Sequence, residues 1–182
     1  MARPEATDFL TNFRFHVTSI KTGDGGKNYI KFDDGIGAGG EAGFQTVSLP
    51  EITIPAADYR EGTSKYTKKF PGPPEISELS MARGVTTKDT NFFNWAIAAI
   101  SGGEYRSDLL ISQFIRSILP EPGPEDFAAT PDAAKTRQYK CFECIPVRVK
   151  PASDLDASSG EVSLAEVDVA IEYFTITLPA GA

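Results

Sequence analysis

Residues 59–95 read YREGTSKYTKKFPGPPEISELSMARGVTTKDTNFFNW, and the order of turn, strand and helix signals in this stretch decides the fold. Arg60, Lys65, Lys68 and Lys69 surround the turn Glu61-Gly62-Thr63-Ser64, and only Tyr59, Tyr66 and Phe70 supply large apolar surface. A strand pair this polar has little to bury against its own domain and is marginal alone. It reads as a projecting hairpin, either solvated or held by a neighbour. Gly72, Pro73 and Pro74 stop the hairpin, and Ile76, Leu79 and Met81 lead a new strand that turns at Arg83-Gly84. Thr86 and Thr87 offer oxygens to the first free N–H groups of a helix, and Asp89 suits the positive end of its dipole. Phe92, Phe93, Ala96, Ile97 and Ile100 then recur at helical spacing, which predicts a helix over about residues 88–100. Ser101-Gly102-Gly103 ends it, as a glycine stop does.

Working outward, the flanks read as strands. On the N-terminal side Phe13, Phe15 and Val17 alternate with Arg14, His16 and Thr18, the pattern of a half-buried strand. Glycine-rich stretches 23–26 and 35–40 bracket a short strand, Tyr29 to Phe32, and Pro50 divides the extended run Phe44 to Ile54 into two strands. On the C-terminal side Leu109 to Phe114 reads as a strand. Tyr139, Cys141, Glu143, Ile145, Val147 and Val149 share one parity of the next, which Pro146 makes an edge or bulged strand. A polar loop, Ser153 to Gly160, feeds a long closing strand. That strand places Val167, Val169, Ile171 and Tyr173 on one face and Glu166, Asp168, Ala170 and Glu172 on the other. Val162 and Leu164 have the opposite parity, which predicts a bulge or break near Ala165. Residues 1–8 carry no pattern and read as an N-terminal arm, and the proline-rich 118–136 segment reads as a loop insertion.

Composition bounds the rest. At 182 residues and 41% apolar content, one well-filled core is the expectation. Thirteen prolines and sixteen glycines divide the chain into short strands, so the domain is β-rich with little helix. No apolar run reaches about 18 residues and no secretory leader follows Met1, so a soluble chain made in the cytoplasm is expected. The net charge of −7 opposes a broad contact with DNA or anionic lipid, which requires a positive face.

No catalytic, cofactor or metal site emerges. Gly35-Ile36-Gly37-Ala38-Gly39-Gly40 satisfies a dinucleotide pattern, but an extended, proline-broken segment follows where a phosphate-binding turn needs a helix. Cys141-Phe142-Glu143-Cys144 lacks two further zinc ligands. Residues three apart on a regular strand point to opposite faces, which disfavours a disulfide between these cysteines, and two reduced thiols are expected. Asp33-Asp34 and Asp154-Leu155-Asp156 do not complete a calcium loop. His16 has no nucleophile motif nearby.

The hairpin, the Arg83-Gly84-Val85 corner, the Trp95 helix and the loop Leu155 to Val162 feeding a final strand form an ordered set that resembles the contractile phage tail tube family. That family includes T4-like tail tubes and the Hcp-like tubes of injection systems. The likeness is strong over Tyr59 to Gly103, moderate over Tyr139 to Ile176 and weak over Phe13 to Ile54. The glycine-rich 23–40 and proline-rich 118–136 segments depart from its compact plan.

The resemblance implies a mainly β, single-domain barrel or sandwich of two antiparallel sheets over residues 1–182, with one flanking helix and a long projecting hairpin. It implies homohexameric rings that stack into a conduit, and no enzymatic activity. By the same likeness Tyr59, Arg60, Lys65, Tyr66, Lys68, Lys69 and Phe70 form the inter-ring hairpin, and Phe92, Trp95 and Ile100 anchor the helix on the barrel. Glu166, Asp168 and Glu172 become candidate lumen-facing carboxylates, since a like-charged wall lets DNA pass without adhesion. The implied partners are further copies, a tail sheath, a baseplate, a tail terminator, and a tape-measure protein and DNA held loosely in the lumen, with no membrane. The implied place is the virion tail, assembled in the host cytoplasm. A bacterial contractile injection system with protein cargo is the alternative, and a monomeric β-sandwich binding module is the reading from another class.

Overall fold

Side-chain alternation builds the strands. A computed structural model describes residues 10–20, 43–62, 65–86, 90–103, 105–115, 136–158 and 160–178. The expected N-terminal arm, the strand Tyr29 to Phe32, the glycine-rich motif at 35–40, Asp33-Asp34, Thr87, Asp89 and the proline-rich segment up to residue 135 lie outside the described residues. In chain order the elements are β1 (Leu10–Ile20), β2 (Phe44–Ser48), β3 (Ile52–Thr53), β4 (Ala56–Tyr59), β5 (Lys68–Pro71), β6 (Glu75–Ile76) and β7 (Leu79–Gly84). After them come α1 (Asn91–Ile100), β8 (Ser107–Ile115), β9 (Thr136–Lys150), β10 (Leu164–Ala170) and β11 (Tyr173–Thr177).

The main strands pair antiparallel in the order β1-β8-β9-β10-β7-β2, with β11 also on β9. Two sheets share β9. Its first part pairs with β8 and β11, and its second part with β10. Two bulges let one strand serve both. Leu109 faces Cys141 while Ser107 faces Cys144, so β9 gains a residue around Glu143, whose φ is 54°. Asp168 faces Arg148 while Val169 faces Pro146, which leaves Val147 as the second extra residue, turned outward. Each bulge resets the alternation, so Tyr139, Cys141, Cys144 and Val149 all face or pack against the core. The parity expected for β9 is therefore broken twice, and Cys141 and Cys144 lie on the same side rather than opposite sides.

Between the sheets, Val17, Leu79, Met81, Leu109, Ile111, Val167 and Val169 form the core with both cysteines. Each such aliphatic side chain stabilises the fold by about 1.5–3 kcal/mol on full burial. The closing segment differs from its sequence reading. Ala165, Val167 and Val169 alternate into the core without a break at Ala165, and the interruption falls at Ile171-Glu172, between β10 and β11. Parity resets there, so Phe174 packs against the core and Tyr173 is half exposed.

Helix α1 closes one side of this core. Phe92 and Trp95 are buried, and the indole Nε1 donates to the Tyr105 carbonyl at 2.5 Å. At the C-terminus Gly102 has φ 72° and the Gly103 N–H returns to the Ala98 carbonyl, a stop that only glycine adopts without strain. Ile100 is 81% exposed and does not anchor the helix on its own subunit. The helix has an apolar stripe on each side, and Ile100 belongs to the outer one.

Beyond β2 and β7 the two chains run on as an arm. β3 pairs with β6 and β4 with β5, and every residue of β4 and β5 is exposed. Between the two ladders the Gly72 N–H donates to Pro55 O at 2.7 Å, and a Cβ on Gly72 would stand 2.9 Å from that oxygen. Glycine is required by this close approach.

Candidate functional site

A shallow cleft between α1 and the sheet is lined by Val85, Thr90, Phe92, Phe93, Pro151 and Ala165, none of them ionisable. Among the described residues no group of His, Cys, Asp and Glu could hold a metal ion. The thiols are inert by environment. Burial first, and the Asp108 charge second, push Cys141 up to about 11, and burial raises Cys144 further. A thiol that stays protonated at neutral pH is a poor nucleophile and a poor metal ligand.

The informative surfaces are three. The first is the arm, where Lys68 reaches Glu61 at 2.9 Å and Lys69 reaches Asp58 at 3.1 Å, while Tyr59 and Phe70 meet edge to face. Ile52, Ile54, Tyr66 and Phe70 are all at least half exposed. The structure brings Tyr59, Lys68, Lys69 and Phe70 together and leaves Arg60, Lys65 and Tyr66 on the exposed bend. Two cations of the basic cluster thus have partners within the hairpin.

The second surface is the outward face of β10. The Arg148 guanidinium donates through Nη1 to Asp168 at 2.9 Å and through Nη2 to Glu166 at 3.1 Å. These bonds raise the Arg148 pKa, and Arg148, followed by the Ser80 hydroxyl, holds the Asp168 carboxyl below its ordinary value. Glu172 is elsewhere. It sits at the corner between β10 and β11, where Arg106 binds it together with Glu143. The three candidate lumen carboxylates therefore occupy two cation clamps rather than one bare acidic face. The clamps escaped sequence reading because cross-strand partners depend on a register set by the two bulges.

The third surface is the outer stripe of α1, Phe93, Ile97 and Ile100. Its signal was present in the sequence as apolar residues on both helical stripes.

The self-paired arm and the apolar outer stripe of α1 are both left uncovered by the described residues. Residues 11–175 match the family described as T4-like virus tail tube protein gp19. The chain belongs to that tail tube family. The family is one of structural tube proteins, not of enzymes. No curated protein matches the tail tube chain. Among solved structures it is similar to a chain in the PVC sheath/tube terminator of an extracellular contractile injection system, extended state, with 19% identity over 95% of this chain and 99% of that one, TM-score 0.65. A chain in the anti-feeding prophage (AFP) baseplate gives 18% identity over 100% of both chains, TM-score 0.63. An Hcp protein gives 13% identity over 92% of this chain and 94% of that one, TM-score 0.52. These likenesses show the fold, two antiparallel sheets with one helix. No helix of the tail tube chain's described residues is long and apolar enough to cross a membrane.

Within the tail tube fold, the Arg83-Gly84-Val85 corner has a packing role. Arg83 is 1% exposed, with its guanidinium 4.3 Å from the Phe92 ring centre and 5.6 Å from that of Phe44. A delocalised cation against aromatic faces is favourable when desolvated. It joins β7 and β2 to α1.

Proposed function

We propose that this chain is the protomer of a phage tail tube, in which six copies close into a ring and rings stack through the arm into a conduit for DNA. The observation that carries the reading is the arm. It is a two-stranded ribbon, exposed at every position of β4 and β5, and such a ribbon needs a neighbour to hold it. Head-to-tail contacts close into rings when the rotation fits, and complementary ring faces stack without a built-in end. A sheath, a baseplate, a terminator and a tape-measure protein are the partners this reading requires, and the virion tail, assembled in the host cytoplasm, is its place. Glu166 and Asp168 are the proposed lumen residues, with Glu172 nearer an edge. Arg148 and Arg106 temper their charge, which leaves a wall mildly repulsive to DNA rather than adhesive.

A second reading is favoured by the likeness to injection-system chains at TM-scores of 0.63–0.65. In it the same tube carries protein cargo. Negative-stain electron microscopy of the purified protein over a range of concentrations tests the shared part. Sixfold rings or hollow tubes support it, and monomers at every concentration sink it. Mass spectrometry and nucleic-acid staining of tubes isolated from the source then separate the cargoes.

A further inference from the structure

The sequence of α1, NFFNWAIAAI, has no ionisable residue. One stripe, Phe92 and Trp95, is buried in its own subunit, while Phe93, Ile97 and Ile100 at spacing i, i+4, i+7 are 52%, 45% and 81% exposed. A helix apolar on both sides belongs between two apolar layers, and the chain's own sheets supply one. Several other exposed apolar side chains of the main body stand beside charges. Val147 neighbours Arg148, and Tyr173 stacks on Phe142 under Lys140 and follows Glu172. The outer stripe of α1 is a seat free of charge.

The arm has the matching character. Ile52, Ile54, Tyr59 and Phe70 are exposed, and Lys68 and Lys69 carry their counter-charges with them in Glu61 and Asp58. Such a ribbon can be covered by an uncharged surface without stranding either ammonium, which is the condition for burying charge at low cost. The arm packs on itself, β4 on β5 and β3 on β6, so its apolar side chains remain available to another molecule. Arm and helix are different surfaces of one subunit, and two unlike complementary surfaces generate head-to-tail assembly.

We propose that the Phe93-Ile97-Ile100 stripe of α1 is the seat for the arm of a second copy of this chain, in the adjoining ring. This rests on the tube reading for its context and names the receiving surface. The arm's Ile52, Ile54 and Phe70 supply the apolar layer that α1 lacks, and specificity comes from exclusion, since an arm shifted onto the Arg148 or Arg106 clamps would desolvate charged groups.

The test uses the full chain with Ile97→Lys on the helix and Ile54→Lys on the arm, both exposed positions. Ile100→Lys serves as a second helix variant at the most exposed site of the stripe. Thermal melts by circular dichroism matching the parent confirm folding. Sedimentation and electron microscopy should then show each variant failing to stack rings, with the concentration needed for stacking raised by about a hundredfold or more. An equal mixture of Ile97→Lys and Ile54→Lys should form paired assemblies and nothing longer, because only one intact arm-on-helix contact is left. Variants that stack like the parent overturn the seat and leave the tube reading standing, with the stripe then covered by some other protein. A parent that never forms rings or tubes sinks the tube reading instead, and the mixture still decides the seat: pairing supports it, and no pairing overturns it.

Discussion

Trp95 joins the helix to the body by two physical means, a fully buried indole and an N–H bond to the Tyr105 carbonyl. Trp95→Ala should destabilise the subunit by about 3–5 kcal/mol through the cavity it leaves. Trp95→Phe should cost less, with loss of the hydrogen bond and strandedness of the carbonyl contributing about 1–3 kcal/mol. Urea denaturation of both variants measures the difference. The cysteines make a second residue-scale prediction. Cys141 ionises near 9.0 ordinarily and is pushed up to about 11 in the fold, chiefly by burial. Below pH 9 the thiol is protonated in both states and the stabilisation is fully present. Between pH 9 and about 11 the unfolded chain loses this proton and the folded chain keeps it, so stability falls as pH rises. Denaturation midpoints at pH 8, 9.5 and 10.5 should decline less steeply in Cys141→Ala than in the parent. The Cys-x-x-Cys spacing was legible in the sequence, yet its geometry was not, because the parity rule fails when a residue is inserted between the two thiols.

That inserted residue belongs to the scale of elements. Glu143 holds φ 54°, a conformation that costs an L-residue about 1–2 kcal/mol, and its N–H donates to the buried Asp108 carboxylate at 3.0 Å. The bulge is thus held by a side chain 35 residues upstream, which no local pattern reveals. Glu143→Val should destabilise by roughly 1–3 kcal/mol, because branching at Cβ is worst at positive φ. Glu143→Gly should be close to neutral, since relief of strain offsets greater freedom in the unfolded chain. Thermal melts of the two variants check the contrast, and equal losses would disprove the bulge account. Other elements were readable where one force dominated. β7 and β10 follow their alternation, α1 follows its spacing and glycine stop, and Pro50 separates β2 from β3 as expected. Reading failed where two answers had equal local support. Apolar residues on both stripes of α1 left Ile100 wrongly assigned to the core, and the corner at Ile171-Glu172 has no glycine or proline to announce it.

For the whole molecule, the proposed tube raises the question of which force would join copies. A basic hairpin could join subunits by charge pairing, but Arg60, Lys65, Lys68 and Lys69 are balanced in the arm by Glu51, Asp58, Glu61 and Glu75, and two of the pairs close within it. Exposed ion pairs of this kind contribute about 0–1 kcal/mol, whereas the apolar side chains of arm and helix offer substantial area for burial. The subunit's net charge of −7 opposes bringing many copies together. Salt screens that repulsion over a Debye length of about 8–10 Å near physiological strength, and leaves apolar attraction intact. Assembly should therefore strengthen as sodium chloride rises from about 50 to 500 mM, a range across which screening shortens several-fold. Sedimentation velocity at fixed protein concentration reads the outcome. A larger assembled fraction at high salt supports apolar contact as the driving force, and rings that fall apart there would return the arm's cations to the interface as its main attraction.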